Sequence, residues 1–181
     1  MTPIFLIGYM GCGKTTLGRA LAKATGRPFY DLDFYIEQRF RSSVSRLFEE
    51  RGEEGFRRLE KAMLREVGEF DDAIVSCGGG TPCFFDNMDY MLARGRVVWL
   101  QADPGRLCER LAVGRSRRPL LSALSDSELL GFIERGLETR RPHYERATSV
   151  FDSTQLENRR QISDSVNRFL ALIGSDVQPE S

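Results

Sequence analysis

The sequence predicts an α/β fold, a three-layer sandwich built on a parallel sheet of five strands. Two observations carry that prediction. Short apolar runs alternate with longer amphipathic stretches along the chain, the pattern that strand–helix–strand units produce. The first run, Ile4-Phe5-Leu6-Ile7, is apolar at every position, as a strand covered by helices on both faces should be. The length of 181 residues suits a single domain. A chain of that size buries about 70% of its unfolded surface and needs no disulfide or metal to hold it.

The elements follow in order. After the strand at 4–7, Leu17, Ala20, Leu21 and Ala24 repeat at helical spacing, and Gly26 closes that helix. Pro28-Phe29-Tyr30 leads into a short second strand ending at Asp31. Residues 32–71 then intervene, and the stripe Phe56, Leu59, Met63, Val67, Phe70 marks them as mostly helical. Ala73-Ile74-Val75-Ser76 and Val97-Val98-Trp99-Leu100 are two more strands, and Ser149-Val150-Phe151 is a weaker fifth. Met88, Met91 and Leu92 read as core positions of a helix between the third and fourth strands. Leu129, Ile133 and Leu137 stripe a late helix; Ile162, Val166, Phe169, Leu170 and Ile173 stripe the closing one. Residues 112–125 are polar, arginine-rich and weakly patterned, which suggests a mobile loop. The expected organisation is one domain, 1–181. Its core is 1–31, 72–111 and 126–173, with an excursion at 32–71, a lid-like loop at 112–125 and a frayed tail at 174–181.

Composition excludes several functions. The 26 basic and 26 acidic side chains cancel, which argues against a grip on nucleic acid as the main task. No run of 18 apolar residues is present to span a membrane. The start, Met1-Thr2-Pro3-Ile4, lacks the basic segment of a signal peptide. One histidine, His143, leaves no histidine-built zinc site, and no catalytic role is assigned to it. Cys12, Cys77, Cys83 and Cys108 show no C-x-x-C spacing and are expected as reduced cytoplasmic thiols. Arginine outnumbers lysine 23 to 3. Genomic base composition is the bland cause; recognition of planar anions by guanidinium forks is the chemical one.

The strongest chemical signal is Gly8-Tyr9-Met10-Gly11-Cys12-Gly13-Lys14-Thr15, which fits G-x-x-x-x-G-K-[ST] between a strand and a helix. Glycines let backbone N–H groups converge on phosphate oxygens, and the helix N-terminus adds partial positive charge. Lys14 can reach the outer phosphates, and the Thr15 hydroxyl can ligate Mg²⁺. A chance match in this length is on the order of one in a hundred. A GTPase switch needs an Asn-Lys pair to read guanine, and none exists. A motor-type ATPase wants an acid closing a later hydrophobic strand, but the third strand ends in Ser76 and the fourth runs into Gln101-Ala102-Asp103. Asp31-Leu32-Asp33 stands at the end of the second strand instead. Two aspartates two apart on a strand share a face. One can hold a metal's water shell and the other can accept a hydroxyl proton. Taken alone, such a pair is an ordinary helix N-cap with a charged first turn. At the carboxyl edge of a sheet beside a phosphate loop, the chemical reading gains.

These motifs, with Gly55-Phe56-Arg57-Arg58-Leu59-Glu60, Ser76-Cys77-Gly78-Gly79-Gly80 and Arg118-Pro119-Leu120-Leu121 in that order, resemble the shikimate kinase family from residue 4 to about 170. The resemblance implies a P-loop kinase fold whose excursion holds substrate and whose lid closes over it. It implies phosphorylation of the 3-hydroxyl of shikimate, with ATP as co-substrate and Mg²⁺ as cofactor. Gly11, Cys12, Gly13, Lys14, Thr15 and Thr16 would cradle the nucleotide, with Arg110 near the adenine. Thr15 and Asp31 would serve the metal. Asp33 would bind substrate hydroxyls and act as base, beside the catalytic Lys14 and the lid's Arg118, which reaches the transferring phosphate. Arg57 and Arg140 would grip the carboxylate, and Gly78, Gly79 and Gly80 would lie beside the substrate. Cys12 stands where the family often has Ala or Ser. The adenine segment, Phe151-Asp152-Ser153-Thr154, leaves open which residue meets the base.

The residues also make sense by chemistry. A carboxylate calls for arginine forks, and Glu60, three after Arg57, can orient it. Three consecutive glycines cost chain entropy that close backbone approach to a ligand would justify. Two alternatives stay open: a gluconate-type sugar-acid kinase, and a regulatory ATP-binding module without catalysis. A cytoplasmic monomer acting on small molecules, with no nucleic-acid or membrane partner, is the expectation.

Overall fold

The computed structural model describes residues 2–113 and 119–175. The expected parallel sheet forms from β1 (Ile4–Ile7), β2 (Phe29–Asp31), β3 (Ile74–Ser76), β4 (Arg96–Gln101) and β5 (Ser149–Asp152). They lie in the order β2-β3-β1-β4-β5, every neighbouring pair parallel. β1 is central, so the loop that follows it leaves the sheet where the strand order reverses, the place where such sheets bind ligands.

The all-apolar strands divide their side chains between two cores. Ile4 and Leu6 of β1, with Val98 and Leu100 of β4, face one layer. Phe5 and Ile7, with Val97 and Trp99, face the other. The first layer is α1 (Lys14–Thr25), α5 (Pro104–Ala112), α7 (Asp126–Tyr144) and α8 (Arg159–Ser175). The second is α2 (Leu32–Phe40), α3 (Val44–Gly68) and α4 (Asn87–Arg94). Gly26 ends α1 in the left-handed conformation, with φ of 73°, the C-cap role its position predicted. Met88 and Met91 are buried, as their spacing implied.

Residues 32–71 form the expected helical excursion. α3 is two helical segments joined at Gly52, whose φ of 68° interrupts the helical backbone. In the stretch 112–125, the described part is more regular than its polar composition suggests. α6 (Pro119–Ser122) is helical, and Leu121 is buried against the first core, so one apolar side chain anchors it. Arg118 lies outside the described residues. The closing helix runs on to Ser175, two residues past the expected end, and the rest of the tail also lies outside. All four cysteines are unpaired. Among the described residues, no helix is long and apolar enough to cross a membrane.

Candidate active site

The loop between β1 and α1 is shaped by its glycines. Gly8 has φ of 141°, and a Cβ there would stand 2.5 Å from the Leu100 carbonyl. Gly13 caps α1 in the left-handed region, with φ of 95°, and no side chain occupies the helix's first N–H groups. No acidic residue sits in the first turn either. These open donors and the helix dipole make an anion seat. Lys14 is buried, and its ammonium donates to the carbonyls of Gly8 at 2.8 Å and Tyr9 at 2.9 Å. The loop thus holds its own lysine along the path a phosphate would take. Cys12 turns inward: it is 1% exposed, with Sγ 3.5 Å from the lysine nitrogen.

An open cleft of about 410 Å³ lies beyond, lined by Gly11, Gly13, Lys14, Thr15, Thr16 and Arg110 together with Leu156 and Glu157. Sequence reasoning missed the last two, which follow β5 without any motif. Arg110 ties this wall together. It donates to the carbonyls of Gly11 at 3.2 Å, Ser153 at 3.1 Å and Thr154 at 2.8 Å, and pairs with Glu157 at 2.7 Å. Of the segment left open by sequence, Ser153 is buried and bonded to Gln101, and Asp152 accepts from the Thr154 N–H.

Across the phosphate loop, four distant segments converge on Gly78, Gly79 and Gly80. A Cβ on Gly78 would meet Asp33 and Glu60, each at 3.1 Å. One on Gly79 would meet Arg140 at 3.1 Å and the Gly8 carbonyl at 3.5 Å, and one on Gly80 would meet Arg57 at 2.6 Å. None of the three has a left-handed φ. The triplet is therefore explained by close approach, here of the protein's own side chains. Arg57 donates to Glu60 at 2.9 Å, the i,i+3 pair expected from the sequence, and lies over the Phe84 ring at 4.2 Å. Its Nε is buried without a partner. Arg140 lies 5.0 Å from the Tyr9 ring, and the Tyr144 hydroxyl fixes the Gly79 carbonyl at 2.5 Å.

The aspartates divide their tasks differently from the shared-strand-face argument. β2 stops at Asp31 and α2 begins at Leu32, so Asp33 sits on a helical turn. Asp31 is indeed the N-cap, accepting from Phe34 N–H at 3.3 Å, yet its other oxygen accepts from Thr15 Oγ1 at 2.7 Å. Asp33 is open to water at the surface, yet protein crowds its carboxyl. Desolvation there, then repulsion from Glu60 and Asp31, pushes its carboxyl up to about 6 against the pull of Lys14. That is a poise suited to taking a proton near neutral pH.

The family model for shikimate kinase matches residues 10–171. The chain belongs to the shikimate kinase family. Shikimate kinase from Bacteroides fragilis is 53% identical over 98% of this chain and 99% of its own. A crystal structure of shikimate kinase from Bacteroides thetaiotaomicron is 48% identical, with a TM-score of 0.91 over 96% of this chain and 98% of that one. Shikimate kinase from Acinetobacter baumannii in complex with shikimate is 32% identical, with a TM-score of 0.84 over 98% and 95%. Membership in this family accounts for the order of motifs noted from the sequence, the P-loop, the aspartate pair and the glycine triplet each lying at the mouth of the sheet.

Proposed function

We propose that this chain transfers the terminal phosphoryl group of ATP to the 3-hydroxyl of shikimate. The observation that carries the reading is the convergence of one carboxylate, Asp33, and two guanidinium groups, Arg57 and Arg140, on a glycine triplet that touches the phosphate loop. Shikimate is a ring bearing one carboxylate and three hydroxyls. Arg57, with its unpartnered Nε, and Arg140 take the carboxylate by charge-assisted hydrogen bonds. Asp33 then faces the hydroxyl edge. As the hydroxyl oxygen bonds to phosphorus, its proton passes to the Asp33 carboxylate and the bridging oxygen leaves with ADP. Backbone N–H groups of Gly11 to Thr16 and the Lys14 ammonium orient and neutralise the phosphates. Arg110 holds the wall beside the base.

Mg²⁺ fits here, because Thr15 Oγ1 and Asp31 Oδ2, both hard oxygen donors, meet at 2.7 Å beside the phosphate seat. Among the described residues, no cluster of three or more acidic, His or Cys side chains forms a metal cage, in keeping with an ion held largely by phosphate and water. When bound, it supplies charge neutralisation on the phosphate oxygens. Thr15 would hold it directly and Asp31 through water. Residues 32–71 act as the substrate-binding segment. Residues 112–125 act as a lid that brings in Arg118 and excludes water. The enzyme works as a cytoplasmic monomer without nucleic-acid or membrane partners, and its free thiols support the compartment.

The gluconate-type and inactive-module alternatives are not favoured beside shikimate kinase relatives at about half identity over nearly the whole chain. The decisive test is ATP consumption with shikimate, gluconate and nucleoside monophosphates offered separately. Turnover with shikimate alone is expected. Equal turnover with gluconate, or none with any, would overturn the reading.

A further inference from the structure

We infer that Thr81 is a positioning residue for this reaction: through Glu60, its hydroxyl fixes the guanidinium of Arg57 in the orientation that meets the substrate carboxylate. The inference rests on the function proposed above. Thr81 follows the glycine triplet, and its side chain is not a ligand-facing group, for it is fully buried. Its Oγ1 donates to Glu60 Oε1 at 2.6 Å, while Glu60 Oε2 accepts from Arg57 Nη1 at 2.9 Å. The two carboxylate oxygens of a buried Glu60 are thus each committed, one to the hydroxyl and one to the arginine. Thr81 is itself held at both ends of its backbone. Its N–H donates to the Gly78 carbonyl at 3.1 Å, and its carbonyl accepts from the buried Asn87 side chain at 2.9 Å. Pro82 stiffens the same single turn, Thr81–Cys83. The hydroxyl therefore sits at a fixed point, and Glu60 can rotate only by losing it.

The charge balance around Glu60 makes that bond matter. Arg57 attracts it from its own helix and Lys14 lies on the loop side. Against them stands Asp33, with the buried thiol of Cys77 and the half-buried thiol of Cys83 also near the carboxylate. Without Thr81, Glu60 Oε1 becomes a buried carboxylate oxygen lacking a donor, and the carboxylate is free to turn away from the orientation that holds Arg57.

The test is steady-state kinetics of the full chain, comparing Thr81→Val and Thr81→Ser with the parent. Valine keeps the shape and removes the hydroxyl; serine keeps the hydroxyl. The expected result for Thr81→Val is a KM for shikimate raised about tenfold, with KM for ATP unchanged. Thr81→Ser should restore the parent value. An unchanged KM for shikimate would overturn the inference. So would a rise shared with KM for ATP, or one that serine does not rescue, the marks of a merely structural role. Should the valine variant fail to fold, Thr81→Ala against Thr81→Ser makes the same comparison. A parent chain inactive on shikimate would instead sink the proposed function itself.

Discussion

The two groups of residues that meet at the phosphate loop are built in opposite ways. The phosphate side is main chain: one contiguous loop, bent by Gly8 and Gly13, aims N–H groups from the start of α1. The side proposed for shikimate is side chain: Asp33 from α2, Arg57 and Glu60 from α3, and Arg140 from α7 meet over a glycine triplet after β3. A cradle set by local φ and ψ survives most changes around it. A side-chain cluster assembled from remote elements depends on every helix being in register, and it can be tuned one contact at a time. Substitutions on the two sides should therefore separate cleanly in kinetics.

The largest effect is expected from Lys14→Met. It removes the ammonium that the phosphate loop holds beside the phosphate seat, and turnover should fall by about a thousandfold. Far-UV circular dichroism should stay normal. Melting should drop modestly, since the Gly8 and Tyr9 carbonyls lose their donor. Turnover within tenfold of the parent would break the assignment of the loop.

Asp33→Asn comes next, on the other side. Asparagine can bind the substrate hydroxyl but cannot take its proton as a carboxylate does, so turnover should fall about a hundredfold with KM for ATP unchanged. In the parent, kcat/KM for shikimate should decline as pH drops through about 6, where Asp33 takes its proton. The variant should lack that limb. Stability runs the other way. A raised carboxyl pKa means the folded state holds the proton more tightly than the unfolded chain, so stability is lost as pH rises from about 4 through about 6. Asp33→Asn should then melt above the parent at neutral pH. A less active but more stable variant is the signature of a residue kept for chemistry. A variant that melts lower and keeps its turnover would make Asp33 structural.

This division also decides what could be read from the sequence. The apolar runs and helical stripes gave the sheet and its layers because burial on two faces leaves a local pattern. The phosphate loop was legible for the same reason: its eight residues are contiguous, and each type has a backbone or charge rationale. The shikimate side has no local pattern. Arg57 and Arg140 are indistinguishable by spacing from solvated helical arginines, and only the family resemblance singled them out. The argument that put Asp31 and Asp33 on one strand face failed because the strand ends at Asp31. Their proximity comes from the first turn of α2. The glycine triplet looked like room for a ligand, but its crowding by Asp33, Arg140 and Arg57 is a long-range fact. Leu156 and Glu157 were missed because a cleft wall made of irregular chain carries no periodicity.

Arg57→Ala and Arg140→Ala sharpen the comparison within the side-chain half. Each should raise KM for shikimate about ten- to a hundredfold and leave KM for ATP near the parent value. They should differ in stability. Arg57 is 13% exposed and pairs with Glu60 at 1%, so Arg57→Ala strands a buried carboxylate, a loss of about 3–5 kcal/mol. Among the described residues Arg140 has no such buried partner charge, and its removal should leave melting nearly unchanged. Equal melting of the two variants would show that the Glu60 pair carries no structural weight.

The smallest effect is expected where the phosphate side borrows a side chain. Arg110 is the exception to the main-chain rule on that side: it ties Gly11 to the segment after β5 through the carbonyls of Ser153 and Thr154 and the carboxylate of Glu157. Arg110→Ala should free that wall to move. KM for ATP should rise only about three- to tenfold, because the Gly11 and Thr154 carbonyls are only half-buried and water can replace the lost donors there at a net cost of about 1 kcal/mol. The Glu157 pair adds little at this exposure and should fade with salt, so the difference between parent and variant should shrink as ionic strength rises. KM for shikimate at saturating ATP should not move. Were it to rise in step with KM for ATP, the two sides of the cleft would not be separable, and Arg110 would be holding the phosphate loop against the glycine triplet rather than the wall around the base.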